Sequence, residues 1–244
     1  MIAGLLAGLL AVGFAEIFGE PPLDKAIAFE AAAEHADHET PGHEKAGHDM
    51  AAPELVSRAV QSTAGLTTAG AVYGIGLGGL FALVFAVAYG RTGPLAPRQL
   101  ALLLAGIGFV AIVLVPQLKY PANPPSIGEP GTIGIRTALY FEMIAISLAA
   151  LTLAVLLVRR FGERFGTWNG VMLAAGLFIV VAALAAAALP DVNEVPDAFP
   201  AVVLWRFRVA AFGMQIVLWG SLGLIFGILA EHALTGRGAA VRRA

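Results

Sequence analysis

Four histidines stand within fourteen residues of one another in the stretch EHADHETPGHEKAGHDM: His35, His38, His43 and His48, interleaved with Glu34, Asp37, Glu39, Glu44 and Asp49. Neutral imidazole beside carboxylate suits divalent cobalt, nickel, copper or zinc, and the side chains alone do not choose among them. The chain has no cysteine, so thiolate zinc sites, iron–sulfur clusters and disulfides are excluded, and any metal falls to imidazole and carboxylate. His35, His38, His43 and His48, with Asp37 and Asp49, are the candidate ligands. His35 and His38 share a face wherever the backbone is helical. Pro41, Gly42 and Gly47 keep the rest pliable, which favours a collecting site over a rigid catalytic one.

A second group of ionisable residues lies where the chain is otherwise apolar. In LKYPANPPSIGEPGTIGIRT, residues 118–137, Pro121, Pro124, Pro125 and Pro130 prevent one continuous helix. Such backbone near lipid must be covered by protein or line a wet cavity. It carries Lys119, Tyr120, Asn123 and, at the start of the next helix, Arg136, four residues before Tyr140. Glu142 follows, and because a charge deep in a bilayer costs several kcal/mol it needs a cavity or a cationic partner, for which Arg136, Arg206 and Arg208 are candidates. In LPDVNEVPDAFPAVVLWRFR, residues 189–208, Asp191, Glu194 and Asp197 form an acidic mouth. Trp205, Arg208, Phe212, Gln215 and Trp219 then fall at 3, 4, 3, 4 spacing, one interior-facing stripe, while Arg206 points elsewhere, toward lipid phosphate. Glu16, Glu20 and Glu30 flank the end of the first apolar run. The transport-path candidates are therefore Glu16, Glu30, Lys119, Tyr120, Asn123, Arg136, Glu142, Glu194, Arg208 and Gln215.

The elements that must position these groups are membrane helices. With 58% hydrophobic and 13% charged residues, and several apolar runs near the roughly 20 residues that cross ~30 Å of hydrocarbon, a soluble fold is excluded. The chain reads as all-α, a polytopic transmembrane helix bundle in one integral membrane domain over 1–244, with spans at 2–18, 64–89, 100–118, 138–158, 168–189 and 203–230. The first run resembles a signal-peptide core but lacks a basic start, which favours an uncleaved span; cleavage would leave five. RTGPLAPR (91–98), RRFGERFG (159–166) and the tail hold eight of the fifteen basic residues, which predicts that these segments and both termini are cytoplasmic. The histidine-rich segment 20–57 is then an outward-facing loop. Gly70, Gly74 and Gly78 recur every four residues, as do Gly4 and Gly8, marking faces along which helix backbones approach closely.

Several function classes fall away. A net charge of −2 without a basic stripe argues against nucleic acid. No GxxxxGK[ST] motif is present, and the glycines at 74–78 lie inside a span rather than after a strand. No histidine lies within a span, His232 being at the end of the last, so haem held by two facing imidazoles is excluded. No nucleophile and base stand at fixed spacing, which argues against an enzyme.

The strings KYPANPPSIGEPGTIGIRT and LPDVNEVPDAFPAVVLWRFR, the Pro22-Leu-x-x-Ala26 stretch followed by Glu30, and the histidine-rich segment together resemble the CbtA family of predicted cobalt transporter subunits. The resemblance spans nearly the whole chain, although the start lacks the longer, basic N-terminus usual there. It implies a bacterial inner-membrane protein of five or six helices linked to cobalamin metabolism, with cobalt as the transported ion and no organic cofactor. Nickel and zinc stay open on ligand chemistry. It also implies a small histidine-bearing membrane subunit, CbtB, as partner beside the lipid bilayer, and leaves room for a homo-oligomer. The other function class consistent with these residues is a non-conducting metal-binding or structural subunit of a membrane complex.

Overall fold

A computed structural model describes residues 1–38, 57–124, 127–128 and 130–241. Regular structure among them is helical throughout: α1 (Ile2–Phe18), α2 (Glu20–His38), α3 (Gln61–Ala88), α4 (Pro97–Lys119), α5 (Ile133–Phe165), α6 (Thr167–Ala188) and α7 (Ala201–Val241). Helices α3 to α7 are each long and apolar enough to span a bilayer. At 17 residues and ~1.5 Å per residue, α1 alone falls short of ~30 Å. It passes only together with the start of α2, from which it is bent by 53°. The molecule is thus a polytopic membrane-spanning helix bundle of five spans, or six counting the bent pair. Large apolar side chains such as Leu80, Leu83 and Val87, each more than 60% exposed, face the medium and require hydrocarbon there.

The segment expected to be a loop from residue 20 is helical as far as His38. Its composition explains this: EAAAEHADH is rich in the best helix former, and Pro21 and Pro22 fall in the first turn, where their missing N–H groups cost nothing. Residues 39–56, with His43, His48 and Asp49, lie outside the described residues.

The chain forms two compact units, 1–106 with 198–244, and 107–197. In the first, the two predicted glycine faces meet each other. A Cβ on Gly4 would strike the Gly74 carbonyl oxygen and lie 2.7 Å from Gly78 Cα, and one on Gly74 would lie 3.1 Å from Gly8 Cα. Only hydrogen at these positions allows α1 and α3 to close backbone to backbone. The same unit packs Phe226 of α7 edge-on against Phe81 and Phe85 of α3, with centroids 5.0 Å apart in both pairs, and pairs Arg98 with Glu231.

In the second unit α5 and α6 form an antiparallel hairpin joined by Gly166 alone. Its φ of +86° is one that a side chain would strain, and Gly170 approaches the Gly162 backbone too closely to carry a Cβ. The part of α4 in this unit contains a π-helical turn, Val110–Leu114, just before Pro116. Proline removes one N–H and crowds the carbonyl of residue 112; the wider turn relieves both.

Candidate functional site

The two proline-rich stretches singled out in the sequence, 118–132 and 189–197, meet at one end of the second unit. Pro121 and Pro124 follow the end of α4 at Lys119, where residues 121–124 have no regular structure, and the short 3-10 turn Pro130–Thr132 leads into α5. Pro116, Pro124 and Ile127 are almost fully buried, so this irregular backbone is covered by protein, as its place beside membrane helices demands.

Three contacts tie the stretches together. Lys119 forms an ion pair with Asp191. Tyr120 donates its hydroxyl hydrogen to the Pro190 carbonyl at 2.8 Å. Arg136 stands with Nε 3.3 Å from Glu194 Oε2 and donates through a terminal nitrogen to the Ile127 carbonyl at 3.2 Å. The Nε hydrogen itself has no aligned acceptor, so the Arg136–Glu194 contact is one of charge rather than a linear hydrogen bond. Gly128, at φ +116°, lies under this pair; a Cβ there would come within 2.5 Å of Glu194 Oε2 and 2.8 Å of the guanidinium carbon. Gly128 is thus required twice, for its backbone and for its missing side chain.

The two pairs differ in environment. Lys119 buries its stem, 11% exposed, but its partner Asp191 is 94% exposed, so the attraction is screened by solvent. Arg136 and Glu194 are 25% and 14% exposed, and removing either would strand the other's charge. Partial burial pushes the Tyr120 phenol above its ordinary range; Lys119 opposes the rise, while Asp191 and Glu142 add to it. The phenol stays a protonated donor at neutral pH, and Glu142 is within electrostatic reach of it.

Among the candidate partners of Glu142, Arg136 is taken by Glu194, and Glu142 itself is exposed with no ion pair among the described residues. Of the three arginines considered as cationic partners for Glu142, Arg136 is therefore engaged elsewhere. Glu142 stands six positions after Arg136 on α5, which is well over one turn and beyond the reach of an i, i+4 pair, whereas the 189–197 stretch brings Glu194 directly across. Asn123 is half-buried in the same region.

In the first unit, Glu16 and Glu30 are exposed, near the end of α1 and on α2. Arg58, just before α3, binds Glu20 at 2.5 Å and Asp24 at 3.4 Å, a contact that the sequence reading missed because it crosses more than thirty residues. On α7, the expected stripe is interior at its deep end only. Trp219 is 4% exposed and Trp205 69%, with Arg208 and Gln215 half-buried between them. Gln215 Oε1 and Trp219 Nε1 are buried without hydrogen-bond partners among the described residues.

Of the proposed metal ligands, His35, Asp37 and His38 lie on the helical backbone of α2; His43, His48 and Asp49 fall outside the described residues. Among the described residues no group of three His, Asp or Glu side chains is arranged to hold a metal ion. What the arrangement does provide is two stretches rich in fixed charge, tied by ion pairs at one end of membrane helices, and a helical arm leading into the histidine-rich segment.

No curated protein and no solved structure matches the chain. The family described as "Probable cobalt transporter subunit (CbtA)" matches residues 1–231, all but the last few residues, which include both proline-rich stretches, the glycine faces and the histidine-rich segment. A multi-pass helical membrane protein accords with that description, and the chain belongs to the CbtA family of probable cobalt transporter subunits.

Proposed function

We propose that the protein is the membrane subunit that collects a divalent transition-metal ion, cobalt in the first instance, on the His/acid-rich segment and passes it through the helix bundle. The observation that carries this reading is the family match over residues 1–231. His35, His38, His43 and His48 raise the local ion concentration, with Asp37 and Asp49 completing a loose ligand set. Three of these six residues fall on α2, where helical backbone gives His35 and His38 the three-residue spacing of a shared face.

The candidate groups for the path lie at the ends and interiors of the spans: Glu16, Glu30, Arg208 and Gln215 in one unit, and Lys119, Tyr120, Asn123, Arg136, Glu142 and Glu194 in the other. Fixed cations repel a travelling cation unless acids neutralise them, and Lys119 and Arg136 each have one, Asp191 and Glu194. Glu142, which has no ion pair among the described residues, is the path carboxylate of its unit left to meet the ion. Without a nucleotide-hydrolysis motif the driving force is the gradient and the membrane potential, ~2.3 kcal/mol per charge per 100 mV and twice that for a divalent ion. The basic connections favour cytoplasmic termini, and the family resemblance implies a bacterial inner membrane with a small histidine-bearing CbtB-like subunit as the expected partner.

The test is uptake of labelled cobalt into cells expressing the chain, with and without that partner, beside a variant with all four histidines changed to alanine. Uptake above the empty-vector control that falls in the variant at low cobalt is the expected result. If no combination takes up cobalt although the protein is in the membrane, the chain is a metal-binding or assembly subunit instead.

A further inference from the structure

We infer that the first unit holds one anionic phospholipid in the cleft between the α1–α2 bend and the first turns of α7, with its phosphate held by Lys25 and Arg206. The cleft has a volume of about 420 Å³, within the roughly 300–1,000 Å³ of small-molecule sites. Its walls are apolar, with Phe14, Phe18, Val202 and Val209 prominent, and its two charged residues, Lys25 and Arg206, are both positive. Phe18, Val202 and Val209 are more than half exposed, so the apolar wall opens to the surroundings and can receive an acyl chain laterally.

The cations are free for such a ligand. Neither Lys25 nor Arg206 has an ion pair among the described residues, and the nearest acids on α2 are engaged, Glu20 and Asp24 both with Arg58. Glu16, at the end of α1, does not line the cleft. Elsewhere in the unit a basic residue with carboxylate nearby is paired, as Arg98 is with Glu231. Two unpaired cations beside apolar surface, at the ends of spans where lipid headgroups lie, form an electrostatic and shape match to a phosphate ester with a hydrocarbon tail. A soluble anion would satisfy the charges but leave the apolar wall unused.

The test uses the full chain in detergent, with native mass spectrometry reading adducts of phosphatidylglycerol and of phosphatidylcholine with identical chains. Wild type should bind phosphatidylglycerol preferentially. Lys25→Gln and Arg206→Gln should each weaken that binding about fivefold, the factor that ~1 kcal/mol per basic residue at an anionic surface represents, and the double variant about 25-fold, with phosphatidylcholine unaffected. Arg91→Gln, a cation in the α3–α4 connection, should change nothing. Helicity and monodispersity are checked for every variant, and the single changes at exposed positions keep the test open should the double variant not fold. Equal binding of the two lipids by wild type, equal weakening by Arg91→Gln, unchanged binding in a folded double variant, or equally tight binding of chain-free glycerophosphoglycerol would each overturn the assignment. The inference stands apart from the cobalt reading, because none of its outcomes depends on transport.

Discussion

Adding one methyl group at Gly4 should drive α1 away from α3. The new Cβ would stand 2.7 Å from Gly78 Cα and 2.9 Å from Gly78 N, against the 3.4 Å at which ordinary contact begins. These opposing atoms are backbone, so no rotamer change clears them, and the helices must part by at least about 0.7 Å at the crossing, and farther to free the Cβ from the Gly74 carbonyl oxygen. A gap of that size forfeits a quarter to a half of the dispersion energy; for about 40 heavy-atom contacts at ~0.15 kcal/mol each the loss is roughly 1.5 to 3 kcal/mol. For a chain of this length that lowers the melting temperature by roughly 3 to 12 °C. The molecule supplies its own controls, because a Cβ at Gly13 on α1 or Gly76 on α3 meets nothing within 4 Å. Melting followed by size-exclusion chromatography of a fluorescent fusion in detergent should show Gly4→Ala and Gly74→Ala destabilised, with Gly13→Ala and Gly76→Ala within about 2 °C of wild type, as open positions usually are. If Gly4→Ala melts with the controls, the close backbone crossing is wrong.

At the proline-rich end of the second unit, Arg136 and Glu194 at 3.3 Å attract each other by about 5 kcal/mol at an effective dielectric of 20, before desolvation is subtracted. A double-mutant cycle with Arg136→Ala and Glu194→Ala should leave a net coupling of roughly 2 kcal/mol. Asp191→Ala, removing the partner of Lys119 at the solvent-facing pair, should cost less than about 1 kcal/mol in the same melts; an equal or greater cost than Glu194→Ala would contradict the assigned environments. Glu142→Gln should reduce cobalt uptake with little change in melting, and unchanged uptake would remove that carboxylate from the path. Because the chain has no cysteine, Thr92→Cys and Asp197→Cys report sidedness cleanly. A membrane-impermeant maleimide added to intact spheroplasts should label position 197 and not 92, and the reverse pattern would invert the topology.

The spans were legible because bilayer thickness sets both their length and their composition. The boundaries from 2–18 to 203–230 fall on helices, some of which the structure carries farther: α5 begins at Ile133 rather than 138 and runs to Phe165, and α7 continues to Val241. The glycine faces were legible for a similar reason: a four-residue recurrence of residues without side chains has few purposes in a membrane helix except close approach. That Gly4 and Gly8 would meet Gly70, Gly74 and Gly78 was not written in either motif, since pairing depends on which helices become neighbours.

The helical state of residues 20–38 was hidden by reading polarity as loop. Polar content excludes a residue from hydrocarbon but says nothing against a helix, and EAAAEHADH has stronger helical propensity than any span in the chain needs. The charge pairing at the proline-rich stretches was half legible: each string announces charges that need partners, but three arginines stood as candidates for Glu142, and the one on α5, Arg136, pairs instead with Glu194, 58 residues farther along. An i, i+4 rule ranks only neighbours on the same helix. Where two irregular strings fold onto each other, as around Gly128, the partner is chosen by backbone that sequence spacing does not encode. The consequence for the proposed path is concrete: two acids of the mouth read from the sequence, Asp191 and Glu194, are engaged with cations. Glu142 has no ion pair among the described residues, and in the proposed path it is the carboxylate of its unit assigned to the mobile ion.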